Sequence, residues 1–292
     1  VSRHRDNIRN AGLMCVSMAG FSANDAIFKL VGTEFGLAQT VFMRGTILCL
    51  LFGTYAWFRG TFRTMPGRRD RAVIAVRTVA EIGITACFLS AVLNMPIANA
   101  TAILQFVPLA IVVAAHFVFG TRAGPMRFAA IFVGLVGVLI IIRPGTAGFN
   151  AYSLLALLAV LFVVLRDLAS RKLSSSADSL FVTLASALMV TMVFGLATLV
   201  DARWTPPSRT DFGLLSLSAV FLFAGYYFGV VTMRTGDIFF VSPFRYSIMI
   251  FSAIFGALLF AEIPDALTVL GILILVGAGV FTIRREKAAL EG

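Results

Sequence analysis

Apolar residues run through this chain in ten long blocks, at about 10–31, 37–58, 72–95, 97–120, 126–142, 152–170, 179–200, 212–233, 238–261 and 265–283. Most approach the 20 or so helical residues needed to span a hydrocarbon core roughly 30 Å thick. Inside lipid, only helices and closed barrels satisfy every backbone N–H and C=O. The blocks lack the alternation of a barrel strand, so each predicts a helix. The expected fold class is an all-α polytopic membrane protein with ten transmembrane helices.

Connections between blocks are short. Val31 to Gly36, Met95-Pro96, Arg143 to Asn150, Arg234 to Gly236 and Ala261 to Pro264 join neighbours, and the longest, Trp57 to Arg71 and Asp201 to Asp211, hold no soluble domain. The first block follows a basic segment but leads straight into the array, so it reads as a retained helix rather than a signal peptide.

Composition agrees with this picture: 59% of residues are hydrophobic and 13% charged, against about 25% charged in soluble domains. The net charge of +10 is a topology signal rather than a nucleic-acid footprint. With the N-terminus placed in the cytoplasm, seventeen of the 24 Lys and Arg fall on the cytoplasmic side, three (Arg143, Arg203, Arg209) outside, and four (Lys29, Arg44, Arg77, Arg245) within spans. The positive-inside rule then puts both termini in the cytoplasm. Cys15, Cys49 and Cys87 all fall within spans without metal-ligand spacing, so they are expected as small apolar fillers. No metal and no cofactor is expected.

Two five-helix units, 1–148 and 149–292, repeat at an offset of about 141 residues. Phe117-Val118-Phe119-Gly120 aligns with Leu258-Leu259-Phe260-Ala261, and Asp25…Lys29 matches Asp167…Arg171 after a one-residue shift. An odd number of spans per unit turns the second copy upside down, the construction of many secondary transporters.

The stretch Phe21-Ser22-Ala23-Asn24-Asp25-Ala26-Ile27-Phe28-Lys29, followed by Phe42 and Arg44, resembles the opening of EamA-type drug/metabolite transporters. Pro96, Ala98, Asn99, Thr101, Pro108, Gly120, Gly134, Gly137 and Pro144 resemble the end of an EamA unit, and Gly236-Asp237, Leu259 to Glu262 and Gly271 its second occurrence. Thr121 departs from the pattern, standing where the first unit usually carries Glu. Within the superfamily the chain is most similar to bacterial YddG-type amino-acid exporters; its opening is also similar to that of S-adenosylmethionine carriers. The resemblance implies a basket of ten helices around a central cavity, with spans five and ten peripheral.

Intramembrane charge costs about 2.5–3.5 kcal/mol on insertion scales and so faces protein or water. Candidate path residues are therefore Asn24, Asp25, Lys29, Glu81, Asn99, Gln105, Tyr226, Tyr227, Arg245 and Tyr246. Asp25 and Lys29, like Arg77 and Glu81, stand at i,i+4 and can pair on one helix face. Each pair reads either as a structural ion pair or as part of the path, with Glu81 a candidate proton-coupling group. Pro108 and Pro243 are candidate hinges, since proline removes a helical hydrogen bond. Arg245 is the first choice for a substrate carboxylate, because its planar fork matches that group. His116 is expected to pack between helices.

The expected function is a secondary transporter exporting neutral or aromatic amino acids, or related small metabolites, across a bacterial inner membrane. The alternative is uptake of S-adenosylmethionine or another nucleoside-like metabolite. Expected partners are the small-molecule substrate and the lipid bilayer, with no nucleic acid, as monomer or homodimer. An enzyme is not expected: the chain has only His4 and His116, no His-Glu-x-x-His and no Gly-x-Ser-x-Gly, and no phosphate-binding loop for nucleotide energy.

Overall fold

In a computed structural model the described residues, 2–61, 66–119, 125–146, 149–174, 177–201, 204–235 and 241–291, form helices joined by short turns, with no strand among them. They are α1 (Ser2–Arg59), α2 (Arg68–Asn94), α3 (Ile97–Leu104), α4 (Val107–Phe119), α5 (Pro125–Ile142), α6 (Tyr152–Ser170), α7 (Ser179–Asp201) and α8 (Arg209–Thr235). A short 3₁₀ helix (Ser242–Tyr246) then leads into α9 (Ser247–Phe260), and α10 (Ala266–Glu291) follows. Seven stretches of the described residues are long and apolar enough to cross a membrane, with two shorter apolar helices, Phe128–Ile142 and Ala266–Thr282. Gly120, Thr121, Gly236 and Asp237 lie outside the described residues.

The expected connection from Val31 to Gly36 is almost entirely helical. The first two predicted spans are one element, α1, broken only at Gly36 (φ 73°, ψ 175°). That left-handed conformation is open to glycine at no steric cost. The break reverses the chain: Arg44 Nη1 donates to Asn24 Oδ1 at 3.0 Å, although residues twenty apart on a straight helix would lie about 30 Å apart.

The fourth and ninth blocks also differ from expectation. Instead of a helix kinked at Pro108, α3 stops at Leu104, Gln105 and Phe106 form a turn, and α4 restarts at Val107. Pro108 thus stands in the first turn of a new helix, where no N–H is required. Pro243 likewise sits in the first turn of the 3₁₀ helix. The two interruptions touch, for Gln105 Nε2 donates to the Arg245 carbonyl at 3.4 Å.

Helix packing is close where side chains are small. The first arm of α1 lies along α8, its second arm along α7, α2 along α6, α3 along α9, and α5 along α10. A Cβ on Gly20 would stand 2.9 Å from the Phe221 carbonyl oxygen, and Gly137 and Gly271 approach so closely that a Cβ on either meets the other's carbonyl at 2.9 or 2.7 Å. The outward faces are apolar: Trp57, Phe58, Phe132, Leu196, Leu199 and Val200 are among the most exposed side chains. Cys87 is buried and Cys15 and Cys49 half-buried, all as free thiols.

The bundle has two distinct ends. Arg59, Arg68 and Arg171 mark one, where the Ser174 N–H donates to Asp70 at 3.1 Å; this is the arginine-rich end. The other holds Gly36, Asn94 and the turn from Ala261 to Asp265, with Asn150 Nδ2 donating to the Asn94 carbonyl at 3.0 Å.

Because a methyl group at the Gly137–Gly271 crossing meets backbone rather than a movable side chain, Gly137→Ala and Gly271→Ala should each cost about 1–3 kcal/mol. Thermal unfolding in detergent checks this against Gly53→Ala, where nothing lies within 4 Å and no loss is expected.

Candidate functional site

Asn24, Asp25 and Lys29 follow one another along the first arm of α1, all buried, yet they do separate things. Asn24 Nδ2 donates to Asp25 Oδ1 at 2.9 Å. Its Oδ1 accepts from Arg44 at 3.0 Å and from Ser218 Oγ at 2.9 Å. One amide therefore joins both arms of α1 to α8, with the Arg44 guanidinium 4.7 Å over the Phe28 ring.

Lys29 does not pair with Asp25, contrary to the i,i+4 expectation. Its Nζ forms an ion pair with Glu262, donates to the Met95 carbonyl at 2.8 Å, and lies 5.0 Å over the Phe260 ring. Glu262 reaches this position because Ala261 ends α9 in a left-handed conformation (φ 54°, ψ 28°) and the Glu262 N–H returns to the Gly256 carbonyl at 3.0 Å. Glu262 Oε2 also accepts from the Ile97 N–H at 3.0 Å, satisfying an orphan donor of the first turn of α3. Three elements meet on one carboxylate, which we call the latch.

Further bonds close the same end. Gln39 and Thr205 exchange side-chain–backbone hydrogen bonds, and Arg143 pairs with Asp265. The hydrogen bond from Arg143, then those from Thr268, hold the Asp265 carboxyl below the usual carboxylate range. This contribution is therefore present above the ordinary Asp pKa and is lost only as pH falls well below it.

Toward the arginine-rich end the helices part. A chamber of about 80 Å³ is lined by Arg44, Arg77, Glu81, Thr183, Ser186 and Tyr226, among others. A wider vestibule of about 320 Å³ shares Phe52, Thr183 and Tyr226 with it and runs out past Tyr55, Phe223 and Tyr227 to Arg59 and Asp178. Its walls are aromatic: the Phe223 and Tyr227 rings lie 6.4 Å apart at 9°, and Phe52 meets Tyr226 edge-on at 6.0 Å.

Arg77 and Glu81 do not pair either. Arg77 donates from Nη1 to Ser186 Oγ at 2.7 Å and from Nε to Ser170 Oγ at 3.2 Å. Glu81 Oε2 lies 3.5 Å from Arg166 Nη1, and Arg166 Nε donates to Asp167 at 2.9 Å. Charges from α1 and α2, Arg44, Arg77 and Glu81, thus share the chamber with Tyr226, and Arg166 of α6 stands beside Glu81.

Of the residues expected on the path, Glu81 and Tyr226 line the chamber and Tyr227 the vestibule. Asn99 and Gln105 line neither cavity. Arg245 is accessible to solvent yet stands within the bundle near Asp167 and Arg166, and it lines neither of these two cavities. Tyr246 is buried and packs against Gly279 of α10, whose missing side chain leaves room for its hydroxyl. His116 meets Phe117 and Phe128 edge-on at 5.3 and 5.6 Å. Sequence reasoning missed Phe52, Tyr55, Thr183 and Ser186 as lining residues. Their signal, small hydroxyls and rings near span ends, is common in any membrane helix. Among the described residues no group of His, Cys, Asp and Glu forms a metal site.

Apolar helices enclosing a charged chamber define a polytopic membrane protein built around a solute-sized cavity. The chain belongs to the EamA-like transporter family, whose family model matches twice, over residues 10–143 and 150–284. It is 26% identical over 284 residues to the S-adenosylmethionine uptake transporter of Rickettsia felis, covering 96% of this chain and 94% of that one. To the pseudopaline exporter CntI of Pseudomonas aeruginosa it is 25% identical over 287 residues, covering 96% and 99%. To the riboflavin transporter of Rhizobium johnstonii it is 26% identical over 208 residues, covering 71% and 68%. A protein of known crystal structure shares the fold, with a TM-score of 0.63, 18% identity and coverage of 92% and 98%. The protein is a multi-pass membrane transporter and not an enzyme. These relatives are named for S-adenosylmethionine, pseudopaline and riboflavin rather than for amino-acid export, so the narrower resemblance to YddG-type exporters is not what the comparisons single out.

The latch makes a quantitative prediction. Removing one partner of a buried ion pair costs about 3–5 kcal/mol, whereas replacing both with apolar groups costs far less. Glu262→Met and Lys29→Met should each lower the unfolding temperature clearly, and the double variant should lose less than either. Additive losses in that double-mutant cycle would contradict the latch.

Proposed function

We propose that this chain is a secondary transporter that moves amino acids (neutral or aromatic) or related small metabolites by alternating access, in the direction of export, across a bacterial inner membrane. The observation that carries the reading is the asymmetry of the bundle: chamber and vestibule lead to the arginine-rich end, while the opposite end is closed by the latch and the Arg143–Asp265 pair. In this reading the chain crosses the membrane ten times. The two arms of α1 count separately, α3 with α4 form one crossing, and the 3₁₀ helix with α9 form another.

The two halves, 1–148 and 149–292, are then inverted copies, with both termini and the arginine-rich end in the cytoplasm. Helix pairing supports this. In crossing order the contacts join first with eighth and third with sixth, first with ninth and fourth with sixth, second with seventh, fourth with ninth and fifth with tenth. That is the reciprocal pattern of two five-helix units related by a two-fold axis. The two matches to the family model, offset by about 140 residues, support the duplication.

Uptake of S-adenosylmethionine or another nucleoside-like metabolite is the second reading. The relatives named for S-adenosylmethionine uptake favour it, as does the aromatic vestibule, whose rings suit a flat heterocycle.

Counterflow in proteoliposomes separates these readings. Vesicles preloaded with unlabelled L-phenylalanine or S-adenosylmethionine are expected to accumulate the labelled compound transiently and saturably. The preferred compound assigns the substrate, and no saturable exchange of either would contradict the proposal.

A further inference from the structure

Two arginines line the chamber, Arg44 and Arg77, and neither forms an ion pair among the described residues. Arg77 is held by the hydroxyls of Ser186 and Ser170, and no carboxylate lies within 4 Å of it among the described residues. A guanidinium carries five N–H donors in a planar fork, and these two bonds leave most of them free. The neighbouring cations are supplied differently: Arg166 has both Glu81 and Asp167, and Arg44 is bonded to the Asn24 amide and stacked over the Phe28 ring.

One turn along α2, the chamber holds the opposite deficit. Glu81 Oε2 is buried and accepts no hydrogen bond, since 3.5 Å from Arg166 is too long for a good one. A charge and an acceptor left unused at membrane depth are costly. Here both face one small cavity.

Resting on the transport reading above, we propose that Arg77 and Glu81 together bind the head group of an α-amino acid, Arg77 taking the carboxylate and Glu81 the ammonium. The guanidinium fork suits a planar carboxylate bidentately. Glu81 disfavours phosphates and simple carboxylic acids, which bring negative charge beside it; Arg77 disfavours simple amines for the mirrored reason. Beyond the head group, the substrate's side chain extends past Tyr226 and Phe52 into the vestibule. Arg77, unlike Arg245, lines the chamber.

Binding to the purified protein, measured by competition, tests this separately from transport. The probes are L-phenylalanine with phenethylamine and 3-phenylpropionate, and S-adenosylmethionine with its decarboxylated form. Wild type is expected to prefer each complete amino acid over its truncated analogues by at least about tenfold. Arg77→Gln should remove the preference over the amines while keeping that over the acid; Glu81→Gln should do the reverse. Arg77→Lys, which keeps the charge but not the fork, should show an intermediate preference, and provides the reading if Arg77→Gln does not fold. Undiminished preference for the amino acid in both Arg77 variants, in folded protein, overturns the assignment. Binding that follows the predicted pattern without any counterflow would leave the site standing and overturn the proposed transport of these substrates instead.

Discussion

In hydrocarbon, a polar group that leaves water must find its partner within the protein. Nearly every notable feature of this bundle follows from that requirement. Helices take care of the backbone, but they leave the first N–H groups and last C=O groups of each helix open, together with the charged side chains of α1, α2 and α6. The structure answers by bringing these deficits together. Asn24 serves Asp25, Arg44 and Ser218 at once. Glu262 serves both the ammonium of Lys29 and the open N–H of Ile97.

Satisfied and unsatisfied groups lie in different places. At the latch end Lys29 pairs with Glu262 and Arg143 with Asp265 across elements far apart in sequence, and the helices close. Around Tyr226 the charges are incompletely paired and line space. A transporter needs both conditions: a sealed end to prevent leakage, and a cavity whose polar groups are better satisfied by solute than by the protein itself. The interrupted helices, α3 with α4 and the 3₁₀ helix with α9, meet between these regions through Gln105 and the Arg245 carbonyl. Irregular backbone at membrane depth is tolerated where it is covered by protein or lines a cavity.

The sequence made the helices legible because spanning length and apolar composition are local properties. It also singled out the charged residues at membrane depth, since such charge is rare and has few benign explanations. It did not reveal their partners. Asp25 with Lys29 and Arg77 with Glu81 have favourable i,i+4 spacing, yet Lys29 reaches a residue 233 positions away and Arg77 reaches Ser186 on another helix. In a bundle, neighbouring helices approach as closely as neighbouring turns, and such contacts leave no periodic trace in the sequence. Gln105 shows the same limit for the backbone: the break before α4 occurs inside one apolar block, 97–120, where hydropathy carries no information on interruptions, whereas the reversal of α1 at Gly36 falls in the connection between the first two blocks.

The central claim is that one end of the bundle closes while the other opens. Pulsed electron–electron resonance on protein in lipid vesicles measures this directly, with one spin-label pair at Arg59 and Asp178 across the vestibule mouth and another at Thr33 and Ile263 beside the latch. When a transported substrate is added, the account predicts opposite changes: a new, shorter distance at the mouth and a new, longer one at the latch. Distances that lengthen together, or stay fixed at both ends while exchange proceeds, would contradict it.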